Sequence, residues 1–213
     1  MEVAELWRYP IKSMRGERLQ EAAVDVDGIA GDRTLMVFDG DGRFITPRTR
    51  PRLLALSASV GADGEPLVDG RPWDSPAAAA AVCGAAGPDA RLESSAGHDR
   101  RFDDTPLLVA TDGAIESLGI DGRRLRPNLV VTGVEGLGER DWPGHVLRVG
   151  GVELAVSRLC KRCVVTTLHP DTLEQDAEVL ATINADYDER VALNCEVMRP
   201  GRLRVGDPVE LAD

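Results

Sequence analysis

Thr34-Leu35-Met36-Val37-Phe38-Asp39-Gly40-Asp41-Gly42-Arg43-Phe44 is the stretch that best indicates the fold of this chain. Its apolar run ends at Phe38 and has the length of a short strand. The Asp-Gly-Asp-Gly segment that follows is typical of a hairpin turn, because glycine tolerates positive φ and aspartate bonds its own backbone. We therefore predict a β-hairpin at residues 34–44.

The same arrangement of short apolar runs between turn residues continues along all 213 residues. The 22 glycines and 13 prolines are spread over the whole length and aromatic residues make up only 4%, which favours many short strands over a helical bundle. Further strands are predicted at 18–26, 129–132, 145–149, 152–156 and 164–167, between residues 65 and 70, and on both sides of a turn within 203–211.

Three helices are predicted among these strands. The first starts at Asp74-Ser75-Pro76, where a polar N-cap precedes a proline, and it ends at Gly84. A second is capped by Thr111-Asp112 and ends near Gly119, and residues 175–188 form the third. Residues 85–104 lack periodicity, which predicts a linker with a domain boundary near residue 95. The expected fold is mainly β with a few helices, with one barrel-like domain at 1–95 and another at 96–213.

Charge and cysteine content limit the partners and the compartment. The chain carries 25 Lys and Arg against 36 Asp and Glu, a net charge of −11, which disfavours unspecific binding to nucleic acid or to an anionic membrane. Four cysteines, two of them close together, do not form a secreted disulfide framework. No apolar stretch approaches the roughly 20 residues that span a bilayer, and residues 1–5 lack a signal-peptide pattern. We therefore expect a cytoplasmic protein.

The sharpest local motif is Cys160-Lys161-Arg162-Cys163, and four interpretations of it stay open at this point. A structural zinc site needs about four ligands, usually two such pairs, and the other cysteines and the histidines are scattered. A thioredoxin-like dithiol starts a helix, whereas this pair precedes the β-branched run 164–167. The thiols can also be buried and inert. Finally, one thiolate beside Lys161 and Arg162 can ligate a redox metal, because adjacent positive charge stabilises the thiolate.

Basic residues recur at turns, each beside a small or rigid neighbour. They are Lys12 with Ser13 after Tyr-Pro, Arg33 in Gly-Asp-Arg, Arg48 in Thr-Pro-Arg, and Arg126 ahead of Pro-Asn. Four such cations could converge on one anionic ligand, since guanidinium forks and ammonium groups suit phosphate. Taken singly, each is more often a solvated charge or a member of a surface ion pair.

Other catalytic arrangements find little support in the sequence. The chain has no Walker-type Gly-Lys-Ser/Thr loop, no Gly-x-Gly-x-x-Gly order and no Gly-x-Ser-x-Gly elbow. The three histidines, His98, His145 and His169, are interpreted as structural or solvated.

Together, the motifs resemble the MOSC family, the molybdenum cofactor sulfurase C-terminal domain proteins, in the branch with an N-terminal β-barrel domain that includes the amidoxime-reducing proteins. The matching segments follow the family's order from residue 9 to residue 209: Tyr9-Pro10-Ile11-Lys12-Ser13, Gly31-Asp32-Arg33, Thr46-Pro47-Arg48, Thr105-Pro106-Leu107-Leu108, Arg126-Pro127-Asn128, Cys160 to Thr167 with Pro170-Asp171-Thr172, and Val205-Gly206-Asp207-Pro208-Val209.

The resemblance implies a binding site for the molybdenum cofactor, a molybdenum-pyranopterin. The second cysteine of the motif, Cys163, would ligate the metal and be the catalytic thiol. Residues that would hold the phosphate and the pterin are Lys12, Ser13, Arg33, Arg126 and Asn128, with Lys161 and Arg162 against the cofactor, Arg48 and Thr111 as second-rank candidates, and Asn194 as a weaker one.

The function that the resemblance implies is reduction of N-hydroxylated or N-oxygenated small molecules. No flavin, haem or cluster motif is visible, so the expected partner is an electron-donor reductase or a ferredoxin-like protein. Two alternatives are a persulfide or molybdenum cofactor carrier without reductase activity, and a binding protein with inert thiols. Departures from the family pattern are Glu139-Arg140-Asp141-Trp142, where Glu-Asp is usual, and His169, where an aspartate is usual.

Overall fold

The computed structural model describes residues 1–98 and 100–212, and within them the chain is built mostly from strands. The strands are β1 (Glu2–Arg8), β2 (Glu17–Leu19), β3 (Glu21–Asp25), β4 (Gly28–Ile29), β5 (Leu35–Phe38), β6 (Ala58–Val60), β7 (Pro66–Val68), β8 (Arg71–Pro72), β9 (Arg91–Ser94), β10 (Leu107–Thr111), β11 (Leu129–Thr132), β12 (Val146–Val149), β13 (Val152–Lys161), β14 (Arg190–Arg199), β15 (Gly201–Arg204) and β16 (Val209–Ala212). The helices are α1 (Pro76–Ala86), α2 (Asp112–Leu118) and α3 (Ala177–Asp186), with 3₁₀ helices at Pro51–Ala55, Gly122–Leu125, Gly138–Asp141 and Val164–Thr167. The mainly β fold class is confirmed.

One eight-stranded sheet organises the second half of the chain. Its order is β16-β12-β13-β14-β10-β11-β1-β2. Neighbouring strands are antiparallel except β10 and β11, which are parallel and are joined through α2 as a crossover requires. Strands β13 and β14 have ten residues each, and their register shifts at three places, so they bend along their length.

The two halves of the chain exchange strands. Strands β1 and β2 belong to the first 95 residues but complete the large sheet, where β1 pairs with β11. Strand β15 belongs to the second half of the chain, and it pairs with β3 of the first half. The first half keeps its own core, in which Ile11, Met14 and Leu53 pack with α1. A domain boundary near residue 95 stays a prediction, and strand pairing crosses it in both directions.

Residues 34–44 form the predicted turn. Gly42 N donates to Asp39 O at 3.1 Å, and the Asp39 carboxylate accepts from the backbone N–H groups of Asp41 and Arg43. After the turn only an isolated bridge joins Phe38 to Phe44, and β5 takes β9 as its strand partner. The predicted turn is therefore confirmed, whereas the pairing of β5 with the distant β9 was not predicted from the sequence.

Two local predictions are wrong in detail. Helix α1 does not end at Gly84: it continues to Ala86, since the space beside Gly84 is open and the chain turns only at Gly87, where φ is +124°. The predicted linker 85–104 contains β9. None of the helices in residues 1–98 and 100–212 is long and apolar enough to cross a membrane.

The segment 164–167 is a 3₁₀ helix and not the predicted strand. The Thr166 hydroxyl donates to Cys163 O at 2.8 Å, and the Thr167 hydroxyl donates to Val164 O at 2.7 Å. Such local side-chain bonds to the backbone compete with strand pairing, and here they override the β preference of the valines and threonines. Cys163 consequently caps a 3₁₀ turn.

Candidate functional site

A cavity of about 430 Å³ lies where the two halves of the chain meet. The loop after β1 and the turn before β5 contribute from the first half, and the end of β13 with the segment before β11 contribute from the second. Ten of the eleven candidates named from the sequence line it: Lys12, Ser13, Arg33, Arg48, Arg126, Asn128, Lys161, Arg162, Cys163 and the weaker candidate Asn194.

The cavity is cationic although the chain is acidic. Six lining residues are Lys or Arg and two are Asp, so the lining carries a formal charge of 6 − 2 = +4 in a chain of net charge −11. Concentrated positive charge in a cleft raises the local concentration of anions. The cavity is therefore suited to an anionic ligand.

The cations from the first half are held by carboxylates. Lys12 Nζ donates to Asp103 Oδ1 at 2.8 Å and to Arg100 O at 2.5 Å, and Arg48 Nη2 reaches Asp103 Oδ2 at 3.2 Å. Arg33 pairs with the fully buried Asp32. Burial lowers the pKa of Lys12, although Asp103 opposes this. Burial also raises the pKa of Asp103, but Lys12 and Arg48 outweigh it and hold that pKa below its usual value.

Three of the predicted residues have unusual backbone conformations. Ser13, Arg33 and Arg126 have φ values of +83°, +50° and +56°, in the left-handed region that is costly for residues other than glycine. These conformations occur at the turns where the sequence pattern placed the basic residues. Strained residues of this kind cluster at ligand-binding sites, because the fold fixes their direction in advance.

Tyr9 connects two of the arginines, and a site role for it was not predicted from the sequence. The Arg33 guanidinium lies 5.2 Å from the Tyr9 ring centroid and the Arg126 guanidinium lies 4.4 Å from it. The Tyr9 hydroxyl donates to Pro127 O at 3.0 Å, and burial raises the pKa of Tyr9 to about 12. The ring therefore stays neutral and acts as a cation–π platform for both guanidinium groups.

Arg126 differs from the other cations of the cavity. Among the described residues, its guanidinium forms no hydrogen bond or ion pair, and only the Tyr9 ring contacts it face-on. Burial lowers the pKa of Arg126, the sign of a cation that lacks compensation. A buried or half-buried charge without a partner is unfavourable, so this guanidinium is a strong candidate for anion binding.

Both thiols of the Cys-Lys-Arg-Cys segment face the cavity and are partly exposed. Arg162 Nη1 donates to Cys160 Sγ at 3.2 Å, its Nη2 donates to Leu125 O at 2.7 Å, and its buried Nε has no partner. Burial lowers the pKa of Arg48, but Asp103 and the Cys163 thiol outweigh it and hold that pKa above its usual value. Cys163 therefore lies beside the Arg48 cation on the cavity wall.

Two predicted residues have structural bonds. The Asn128 side chain lines the cavity but accepts from Leu108 N at 3.2 Å and donates to Trp7 O at 3.3 Å, so it joins β10 to β1. Thr111 does not line the cavity. Its hydroxyl accepts from Ala114 N at the start of α2 and donates to the buried Glu139 at 3.0 Å, which is the N-cap role already visible in the sequence.

Two further carboxylates shape the cavity and were missed because they lie in the predicted linker. Asp103 joins Lys12 and Arg48, whereas Asp104 pairs with Arg158 and accepts from Asn194 Nδ2 at 2.6 Å. The adjacent aspartates thus bind the cations of opposite halves. One signal in the sequence could have identified both carboxylates, because they directly precede Thr105-Pro106, a segment that matches the family pattern. Neither Glu139 nor Asp141 lines the cavity.

Comparison with known proteins agrees with the resemblance seen in the sequence. Residues 1–72 match the MOSC N-terminal beta barrel domain and residues 108–210 match the MOSC domain. Mitochondrial amidoxime-reducing component 1 of Mus musculus is 28% identical, with 98% of this chain and 82% of the relative covered. Mitochondrial amidoxime reducing component 2 of Homo sapiens is 27% identical, with 97% and 82% covered.

A solved structure shows the same fold. The YuaD protein from Bacillus subtilis superposes with a TM-score of 0.50 at 14% sequence identity, over 99% of this chain and 94% of that protein. With both domain matches in the expected order and relatives aligned along nearly the whole chain, this protein belongs to the MOSC-domain family, in the branch that carries an N-terminal beta barrel domain.

Proposed function

We propose that this protein is a molybdenum cofactor-dependent oxidoreductase that reduces N-hydroxylated or N-oxygenated small molecules. The observation that carries the proposal is one cavity in which a partly exposed thiol, Cys163, lies with six cations. Relatives that align along nearly the whole chain are named amidoxime-reducing components. A phosphate-bearing pterin whose metal takes a thiolate ligand needs this combination of a thiolate and anion-binding groups.

The residues of the cavity fit that cofactor. The Arg126 guanidinium has no hydrogen-bond or ion-pair partner among the described residues, so its donors are available for an anion. Arg126, Arg33 and Lys12 would hold the phosphate, and Cys163 would supply the thiolate ligand. When bound, the cofactor supplies a metal that exchanges two electrons and accepts an oxygen atom.

The protein's own residues would then orient the substrate and control charge. For an N-hydroxylated substrate, two electrons and two protons give the N–H product and one water. Arg48 keeps positive charge at Cys163, and Phe102 covers Arg33 at 5.8 Å on the cavity wall. The Tyr9 ring contacts the guanidinium groups of both Arg33 and Arg126, which line the same cavity and would face one ligand.

Electrons would come from a partner, an electron-donor reductase or a ferredoxin-like protein. The site residues, the partner and a cytoplasmic location stay predictions; the aligned relatives are named as mitochondrial. The acidic net charge, −11, would disfavour nucleic acid as a partner and would not disfavour a basic electron donor.

The experiment is elemental and pterin analysis of the full chain made with ample molybdate, followed by a benzamidoxime reduction assay with a chemical electron donor. About one molybdenum per chain and benzamidine formation would support the proposal. Molybdenum without reduction would favour a cofactor carrier, and a persulfide on Cys163 without molybdenum would favour a sulfur carrier. Either result would overturn the reductase assignment.

A further inference from the structure

A second, smaller cavity of about 70 Å³ is lined by Tyr9 and is not used by the proposed reaction. Arg126 and Val165 line both cavities. The remaining wall is largely apolar, with Trp7, Leu54 and Leu168 among its members. One water occupies about 10–15 Å³ on this measure, so there is room for several waters or for one small organic molecule.

Two guanidinium groups with spare donors, those of Arg124 and Arg126, line this small cavity, and Arg15 adds a third positive charge to its wall. Arg124 uses only Nη1, which donates to Thr166 O at 3.3 Å and to Thr167 O at 2.6 Å. Arg15 Nε is buried and has no hydrogen-bond partner. Arg126 forms no hydrogen bond or ion pair with any described residue. Positive charge at this cavity is thus only partly compensated.

The nearby carboxylates are already engaged. Asp171 accepts from Arg123 Nη1 at 3.0 Å and from Nη2 at 2.7 Å, and it lies 3.7 Å from Arg15. Asp121 accepts from the same Arg123 at 2.6 Å. These bonds neutralise Arg123, the fourth arginine of the cavity wall, and leave Arg124 and Arg126 without an acid.

We propose that this second cavity is a binding site for a small monocarboxylate with a short aromatic or aliphatic body. The carboxylate would take the spare donors of Arg124 and Arg126, and the body would pack on Trp7, Leu54 and Leu168. Inorganic phosphate is a poorer match, because it would satisfy the cations but leave the apolar wall against a polar anion. The small volume excludes a long acyl chain. This site shares Arg126 with the large cavity but does not require the proposed reductase function.

Benzoate is the probe, and calorimetric titration of the full chain measures its dissociation constant. Benzamide has nearly the same shape without the charge and should bind at least tenfold more weakly. Trp7 gives a local readout, so benzoate should change the tryptophan fluorescence of the parent and not that of Trp7→Phe. Tight binding of phosphate with no binding of benzoate would overturn the proposal.

Matched variants distinguish this cavity from the large one. Arg124→Gln should weaken benzoate about tenfold, the loss expected for one charged hydrogen bond. Arg48→Gln alters only the large cavity and should leave benzoate affinity unchanged. The reverse pattern would place benzoate in the large cavity and refute the second site.

Folding controls complete the test. Arg124→Gln removes a side chain that holds the 3₁₀ segment, so circular dichroism must show the parent fold. Leu54→Phe keeps every guanidinium in place and narrows the apolar wall, and it should also weaken benzoate about tenfold. Parent-like benzoate affinity in a folded Leu54→Phe would contradict the assignment.

Discussion

The two halves of the chain supply the large cavity with cations of different kinds. In the first half Lys12, Arg33 and Arg48 each have a carboxylate partner, Asp103 or Asp32. In the second half Lys161 pairs with Glu189 at 2.6 Å, whereas Arg126 has only the Tyr9 ring and Arg162 donates to a thiol and a carbonyl. Carboxylates neutralise and position the three cations of the first half. Among the described residues, Arg126 and Arg162 of the second half have no carboxylate partner. We infer that the second half provides most of the anion affinity.

The largest expected effect separates the two thiols of the second half. Cys163→Ser should abolish molybdenum binding and benzamidoxime reduction, because a neutral hydroxyl is a far poorer ligand for a soft metal than a thiolate. Cys160→Ser should keep most of both, since its sulfur already accepts from Arg162. Elemental analysis per chain and the reduction assay give the result. Retention of metal by Cys163→Ser together with its loss from Cys160→Ser would show that the assignment is wrong.

The second prediction tests the comparison of the halves directly. Arg126→Gln removes an unpaired cation, so the free energy of unfolding should change by less than about 1 kcal/mol while cofactor retention falls roughly ten- to a hundredfold. Arg33→Gln leaves the fully buried Asp32 without its cation and should cost about 3 kcal/mol in stability. Cofactor occupancy and the thermal midpoint are measured for both variants.

Equal losses of stability in Arg126→Gln and Arg33→Gln would contradict the inferred difference between the cations of the two halves. The same holds if Arg33→Gln lost cofactor while keeping the parent thermal midpoint, because a compensated cation would then bind as strongly as an unpaired one. Arg199→Gln is the matched control, since Arg199 is exposed, pairs with Glu153 and lies outside both cavities.

Local signals in the sequence predicted much of the fold. The start of α2 at Thr111 and its end at Gly119, where φ is +61°, follow from capping chemistry that needs no distant partner. The ten-residue β14 and the pairing of β1 with β11 were not predicted, because they depend on contacts between residues far apart in the chain. The 3₁₀ helix at 164–167 was missed because threonine hydroxyls competed with a strand pattern.

The candidate site, like the fold, was predicted only in part from the sequence. Basic residues at turns and the cysteine motif gave nine residues that share one cavity, since turns at the ends of strands gather at one edge of a fold. Thr111 was assigned by resemblance, although its cap position already explained it. Asp103 and Tyr9 were not assigned, because an ion pair with Lys12 and a ring between two arginines are visible only in three dimensions.

The smallest expected effect concerns an unpaired charge that does not face the cavity. Glu139 is buried beside Thr111, and burial raises its pKa, although the Thr111 hydroxyl opposes this. A carboxyl group whose pKa is higher in the folded chain stabilises the fold at pH values below its ordinary pKa, and this contribution is lost as pH rises through the folded pKa. Glu139→Gln keeps an acceptor for Thr111 without the charge, so it should raise the thermal midpoint at pH 7 by roughly 2–4 °C. The gain should shrink towards pH 4, where the parent carboxyl is protonated. Thermal melts of the parent and of Glu139→Gln at pH 7 and pH 4 test this prediction. A lower midpoint for the variant at pH 7 would contradict it, and it would show that the Glu139 charge, unlike that of Arg126, has a compensating partner in the fold.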